Sequence, residues 1–148
     1  MSKHFSHNLH QNSSVMNISD ITILVAEDNE ESRIMLRTFL ELQGYRVVEA
    51  RDGEEAVKVA CSAQPDLIIM DLNMPKLNGI EASEQIRQHK ELNKVPIFTN
   101  SSSGKFGMDL FLNTDKLGDG YLEYIPKPFN FDYLVEQIKT VLLKTKNA

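Results

Sequence analysis

The stretch Leu67-Ile68-Ile69-Met70-Asp71-Leu72-Asn73-Met74-Pro75 runs four apolar residues straight into a carboxylate and a turn. A short run that is apolar at every position predicts a strand covered on both faces, the usual condition of a parallel sheet. Working upstream, residues 21–26 read as another buried strand, followed at once by Glu27 and Asp28. Asn29 can cap a helix over 30–43, whose Ile34, Met35, Leu36, Phe39, Leu40 and Leu42 recur at helical spacing, with Gly44 as its stop. A second strand is expected over 46–50. Asp52, with Glu55 three residues on, predicts an acidic variant of the capping box opening a helix to about Ala63.

Downstream, residues 79–89 predict a helix and 95–99 a fourth strand. Residues 101–120 stay ambiguous: Met108, Phe111 and Leu112 suggest a helix, yet Ser101–Gly104 and 113–120 are rich in turn formers. A fifth strand is expected over 122–126, and Asn130 can cap a last helix carrying Leu134, Ile138, Val141 and Leu142 on one face. Strands that alternate with helices through short connections predict an α/β fold, a doubly wound five-stranded parallel sheet with helices on both faces.

Composition narrows the class. At 148 residues and 16.8 kDa the chain suits one well-buried domain, expected over 20–148. Residues 1–19, rich in Ser, Asn, Gln and His, read as a disordered tail, and the spacing of His4, His7 and His10 is assigned no function. A net charge of −5 argues against a direct nucleic-acid partner. The longest apolar runs are four residues, far below the roughly 20 that a spanning helix needs, so no membrane insertion is expected. The single cysteine, Cys61, excludes an internal disulfide and reads as a small buried apolar residue. A soluble protein of the cytoplasm is expected.

In a doubly wound sheet the loops after the strands share one edge, and ligands bind there. The first strand is followed by Glu27 and Asp28, the third leads into Asp71, the fourth is followed by Asn100 and Ser101, and the fifth by Lys127. Clustered carboxylates repel; either some are protonated or a hard divalent cation such as a partly hydrated Mg2+ sits among them. A carboxylate nucleophile, a metal, an ammonium and a hydroxyl together have the logic of phosphoryl transfer.

These residues also carry a family resemblance. Asp71-Leu72-Asn73-Met74-Pro75 followed by Leu77-Asn78-Gly79 resembles the phosphoacceptor loop of response-regulator receiver domains. Glu27-Asp28, Ser101 and Lys127-Pro128-Phe129 match that family's other signatures in order, over about residues 20–145. The resemblance implies a flavodoxin-like receiver fold. It implies Asp71 as phosphoacceptor, with Mg2+ held by the Asp28 and Asp71 side chains and the Asn73 backbone carbonyl, assisted by Glu27. Lys127 would bind a phosphoryl oxygen, Ser101 would close on another, and Tyr124 would turn inward with it as the switch aromatic. The Lys127–Pro128 bond is often cis in this family, and Gly120 matches the glycine before the fifth strand. The implied partners are a sensor histidine kinase or histidine phosphotransfer protein and a downstream protein target, with no attached output domain.

The chain departs from the family pattern in its 101–120 segment, which is a few residues longer than the family norm and puts the regularity of the fourth helix in doubt. Two other functions use the same residues. One is a receiver-like binding module that is not phosphorylated. The other is a Mg2+-dependent phosphatase with Asp71 as nucleophile, which would need an acid two residues on, where this chain has Asn73. The expectation is therefore a signalling module, not an enzyme.

Overall fold

A computed structural model describes residues 17–101 and 122–146. Five parallel strands, β1 (Thr22–Ala26), β2 (Arg46–Ala50), β3 (Leu67–Asp71), β4 (Ile97–Asn100) and β5 (Leu122–Tyr124), form one sheet in the order β2-β1-β3-β4-β5. Among the described residues four helices join or follow them: α1 (Glu30–Leu42), α2 (Gly53–Ala63), α3 (Gly79–Arg87) and α4 (Phe131–Lys146). The doubly wound expectation holds. The chain leaves β1 to one side for β2 and returns to the other for β3, so the crevice between β1 and β3 is the topological switch point.

The strand pleat sorts the core into two layers. Ile23, Val25, Leu67, Ile69 and Phe98 face one side, where Leu36 and Leu40 of α1 and Leu134, Ile138, Val141 and Leu142 of α4 cover them. Leu24, Ala26, Ile68, Met70 and Ile97 face the other, against Ala56 and Ala60 of α2 and Ala82 and Ile86 of α3. Every residue of β3 is buried, as its apolar run requires. Edge strand β2 is exposed at Arg46 and only half-buried until Ala50.

Helix ends follow local chemistry. Asn29 and Asn130 cap α1 and α4 by accepting from the amides of Ser32 (2.8 Å) and Tyr133 (3.0 Å), and Gly44 follows α1 with φ +104°. Asp52 caps α2 by accepting from Glu55 N at 2.8 Å. The reciprocal bond lies one residue upstream of the expected box, because Glu55 Oε1 accepts from Arg51 N (2.7 Å). A full capping box instead opens α3, between Asn78 and Glu81. That helix stops at Arg87, short of the expected 89. Gln88 N turns to Gln85 O in 3-10 fashion, and the Arg87 guanidinium donates to the carbonyls of Leu92 and Val95. Strand β4 starts at Ile97 because Pro96 brings no N–H to a ladder, and it extends through Asn100.

Of residues 17–19, read from composition as part of the tail, Ile18 packs on the α1/α4 layer, and Ile18–Asp20 make a 3-10 turn. The rest of the expected tail, the ambiguous 102–120 segment and Gly120 lie outside the described residues. Cys61 is half-buried against the α2/α3 layer, not fully enclosed.

Candidate functional site

The acidic cleft forms where β1 and β3 end. Glu27 and Asp28 follow β1 in the three-residue link to the Asn29 cap, and Asp71 is the last residue of β3. One carboxylate oxygen from each of Glu27, Asp28 and Asp71 can be chosen so that all lie within 4.8 Å of one another. Glu27 and Asp71 are buried and Asp28 is exposed, so the cluster opens to solvent on one side. The Lys127 ammonium enters from the β5–α4 connection, donating to Glu27 Oε1 at 2.5 Å and standing 4.0 Å from Asp71 Oδ2. A cleft of about 600 Å³ lined by Glu27, Asp28, Asn29, Glu30, Ser32, Asp71, Asn73 and Lys127 surrounds them. The Lys127–Pro128 peptide is cis.

The loop after Asp71 is fixed closely. Asn73 N donates to Asp71 Oδ1 at 3.1 Å, Leu72 N to the Asn100 carbonyl at 2.8 Å, and Gly79 N to the Leu72 carbonyl at 3.0 Å. A Cβ on Gly79 would stand 2.4 Å from the Asp71 carbonyl oxygen and 2.8 Å from Leu72 Cα. Only glycine lets α3 start against the backbone of the acidic residue.

Electrostatics set Asp71 apart. Burial, with the adjacent Glu27 carboxylate, pushes its pKa up to about 7, against the opposing pull of the Asn73 amide and Lys127. Among the described residues, three carboxylates against one ammonium leave an excess of negative charge, and such a cluster of oxygen donors with an open side suits a hard, partly hydrated divalent cation. Asp28, Asp71 and the Asn73 loop supply such donors. Both Glu27 oxygens are already engaged, by Lys127 and by Asn29 N (3.1 Å), which suits that residue to an indirect part.

The other two expected residues sit beside the cleft and do not line it. Ser101 is 1% exposed just after Asn100, the register partner of Asp71. Tyr124 is half-buried at the end of β5, paired with Thr99. The structure thus brings Glu27, Asp28, Asp71, Asn73 and Lys127 together, with Ser101 and Tyr124 at the ends of the two adjoining strands.

Sequence reasoning missed Arg33. Its buried guanidinium donates from Nη1 to the Glu27 main-chain carbonyl at 3.0 Å and from Nε to Glu49 Oε1 at 3.0 Å. Arg37 Nη1 holds the other Glu49 oxygen at 2.7 Å. A signal existed: Arg33 shares the apolar stripe of α1 with Leu36 and Leu40, and Glu49 interrupts a strand of small and apolar residues. Burial raises the Glu49 pKa, but the hydrogen bonds and charges of Arg37 and Arg33 outweigh it and hold the carboxyl below its ordinary value.

Comparison with known proteins bears directly on this arrangement. The family model described as response regulator receiver domain matches residues 23–139. The polar-differentiation response regulator DivK of Brucella ovis is 30% identical over 122 residues, covering 82% of this chain and 95% of that protein. The alkaline phosphatase synthesis transcriptional regulatory protein PhoP of Bacillus subtilis is 36% identical over 126 residues, covering 85% of this chain but only 50% of PhoP, so the chain spans half the length of that relative. Among solved structures, the response regulator TrrA of Thermotoga maritima, in complex with Mg2+-BeF, superposes with a TM-score of 0.67 at 33% identity, covering 81% of this chain and 97% of that one. With its acidic switch-point cleft and this span of matched sequence, the chain belongs to the response regulator receiver domain family of two-component signalling.

Proposed function

We propose that Asp71 accepts a phosphoryl group from a phosphohistidine on a sensor histidine kinase or histidine phosphotransfer protein, in a Mg2+-dependent reaction. The observation that carries this reading is the buried Asp71 carboxylate, grouped with Glu27 and Asp28 and 4.0 Å from the Lys127 ammonium. In the reaction an Asp71 oxygen bonds to phosphorus as the P–N bond breaks, and the departing imidazole keeps the electron pair and takes up a proton. Asp28, Asp71 and the Asn73 carbonyl would hold the cation, with Glu27 acting through water, and a cation held there would supply positive charge to offset that of the phosphoryl oxygens. Lys127 turns from its carboxylate partners to a phosphoryl oxygen. The Asn73 amide keeps the Asp71 carboxylate oriented for attack.

On this reading Ser101 closes on the new phosphoryl group and Tyr124 follows it, altering the surface that a downstream protein target meets. The site residues and their roles are a single assignment: Asp71 the acceptor, Lys127 and Ser101 its oxyanion partners, and Ser101 with Tyr124 the switch. Asn73 stands two residues after the acceptor, where a hydrolase would need an acid, which supports a signalling module over a phosphatase. Among the described residues no helix is long and apolar enough to cross a membrane. The reading places the domain, 20–148, in the cytoplasm, within reach of kinases charged by ATP.

Mass spectrometry of the intact protein after incubation with acetyl phosphate tests this. One phosphoryl adduct is expected with Mg2+, and none with EDTA or in Asp71→Asn. Labelling of Asp71→Asn at the wild-type level overturns the assignment, and steady turnover of a small phosphoester by the wild type favours the phosphatase.

A further inference from the structure

We propose that Arg33 is a positioning residue for divalent-cation binding in the acidic cleft, acting through the main-chain carbonyl of Glu27. This rests on the reading of the cleft as a cation-dependent phosphoacceptor site. Glu27 is fixed at four points: its amide donates to the Ala50 carbonyl (3.0 Å), its side-chain oxygens accept from Asn29 N and Lys127, and its carbonyl accepts from Arg33 Nη1 (3.0 Å). The carbonyl bond matters most for Asp28, because the Glu27–Asp28 peptide plane sets the direction in which the next side chain leaves. Asp28 is exposed and lies outside both the strand and the helix that flank it, so the adjoining peptide aims its carboxylate at the cluster.

Arg33 can do this because it is itself held. Its guanidinium is planar and presents several donors in a rigid fork. One arm reaches Glu27 O and another reaches Glu49 of β2, so the fork ties the end of β1 and the start of α1 to the neighbouring strand. Arg33 is only 8% exposed and lies on the helical stripe that Leu36 and Leu40 give to the core. Packing alone calls for a hydrocarbon there, and a buried cation is retained at a cost. Partners one step behind a metal's ligands commonly govern affinity by 10- to 100-fold, and Arg33, one step further back behind the Glu27 carbonyl, belongs at the low end of that range.

Charge and positioning predict opposite signs. Removing a cation near the cleft, taken alone, tightens the binding of a dication; releasing the Glu27 peptide weakens it. Isothermal titration of Mg2+ into metal-stripped protein, paired with thermal unfolding, separates them. Arg33→Met is expected to weaken Mg2+ binding on the order of tenfold. Arg37→Met touches Glu49 but not Glu27 and is expected to bind within about twofold of wild type, as its partly exposed pair predicts. Should Arg33→Met fail to fold, Arg33→Lys carries the test: it keeps the charge, loses the fork, and is expected to bind several-fold more weakly.

Binding by Arg33→Met or Arg33→Lys that equals or exceeds that of wild type overturns the proposal. So does a lowered melting temperature with unchanged affinity, the signature of a purely structural role. Wild-type protein that binds no Mg2+ overturns the phosphoacceptor reading itself.

Discussion

Two ionic clusters share the carboxyl edge of the sheet, and they are made of similar parts. In one, Glu49 sits between Arg33 and Arg37 at 3.0 and 2.7 Å. In the other, Lys127 sits among carboxylates, 2.5 Å from Glu27 and 4.0 Å from Asp71, with Asp28 beside them. Distances overlap, yet the carboxylates respond oppositely. Glu49 lies below its ordinary pKa because two cations outweigh its burial, while Asp71 rises to about 7 because burial and Glu27 outweigh one ammonium. The difference teaches that close ion pairing does not by itself set which way a carboxylate shifts; the sign of the charge left over does. The first cluster is self-sufficient. The second leaves negative charge over.

The largest expected break in this contrast is Asp71→Asn in EDTA. Asp71 has a folded-state pKa above its unfolded value of 3.8, so the folded form keeps a proton that the unfolded form releases. Its favourable contribution is therefore present below about pH 4 and lost as pH rises through about 7. Relative to wild type, the asparagine variant should show no gain near pH 4 and a gain on the order of 4 kcal/mol at pH 8. A pH series of urea unfolding checks this.

Next in size, Glu49→Leu should cost about 2 kcal/mol at neutral pH by leaving the buried Arg33 without its carboxylate, discounted because Glu49 is partly exposed. The sign with pH is reversed. Glu49 has a lowered folded-state pKa, so its contribution is present above the ordinary carboxylate range and lost as pH falls through its folded value. The gap between wild type and Glu49→Leu should thus close in acid, while the gap for Asp71→Asn closes there for the opposite reason. The smallest effect belongs to Arg37→Gln, a slight loss near the resolution of urea unfolding, since a third of that side chain remains in water and Arg33 still holds Glu49.

The sheet was legible wherever burial on both faces forces an unbroken apolar run, as at 67–70, and the helix starts wherever Asn29, Asp52 and Asn130 precede an apolar stripe. The β1–β3 carboxylates were legible too, since topology alone sends Glu27, Asp28 and Asp71 to one edge. Ends of elements were less so: α3 ends at Arg87, whose side-chain bonds to carbonyls five and eight residues on leave no periodic trace. The tie through Arg33 was missed for a related reason. Its partners lie six residues back and sixteen ahead, on a link and on another strand, and no local motif encodes such a pair. What the sequence did offer was an arginine where the stripe called for leucine.

The Lys127–Glu27 bond spans 100 residues of chain. On a ribosome adding about 5–20 residues per second, β1 to β4 clear the exit tunnel a second or more before that lysine does. Until it arrives, Glu27, Asp28 and Asp71 have no ammonium among them, and the half-made edge depends on protons or dissolved cations for its neutrality. The last-made segment of the described chain is thus the one that gives the first-made strand its counter-charge, so a stalled or clipped chain would carry the acidic residues of a receiver without the balance that makes them one.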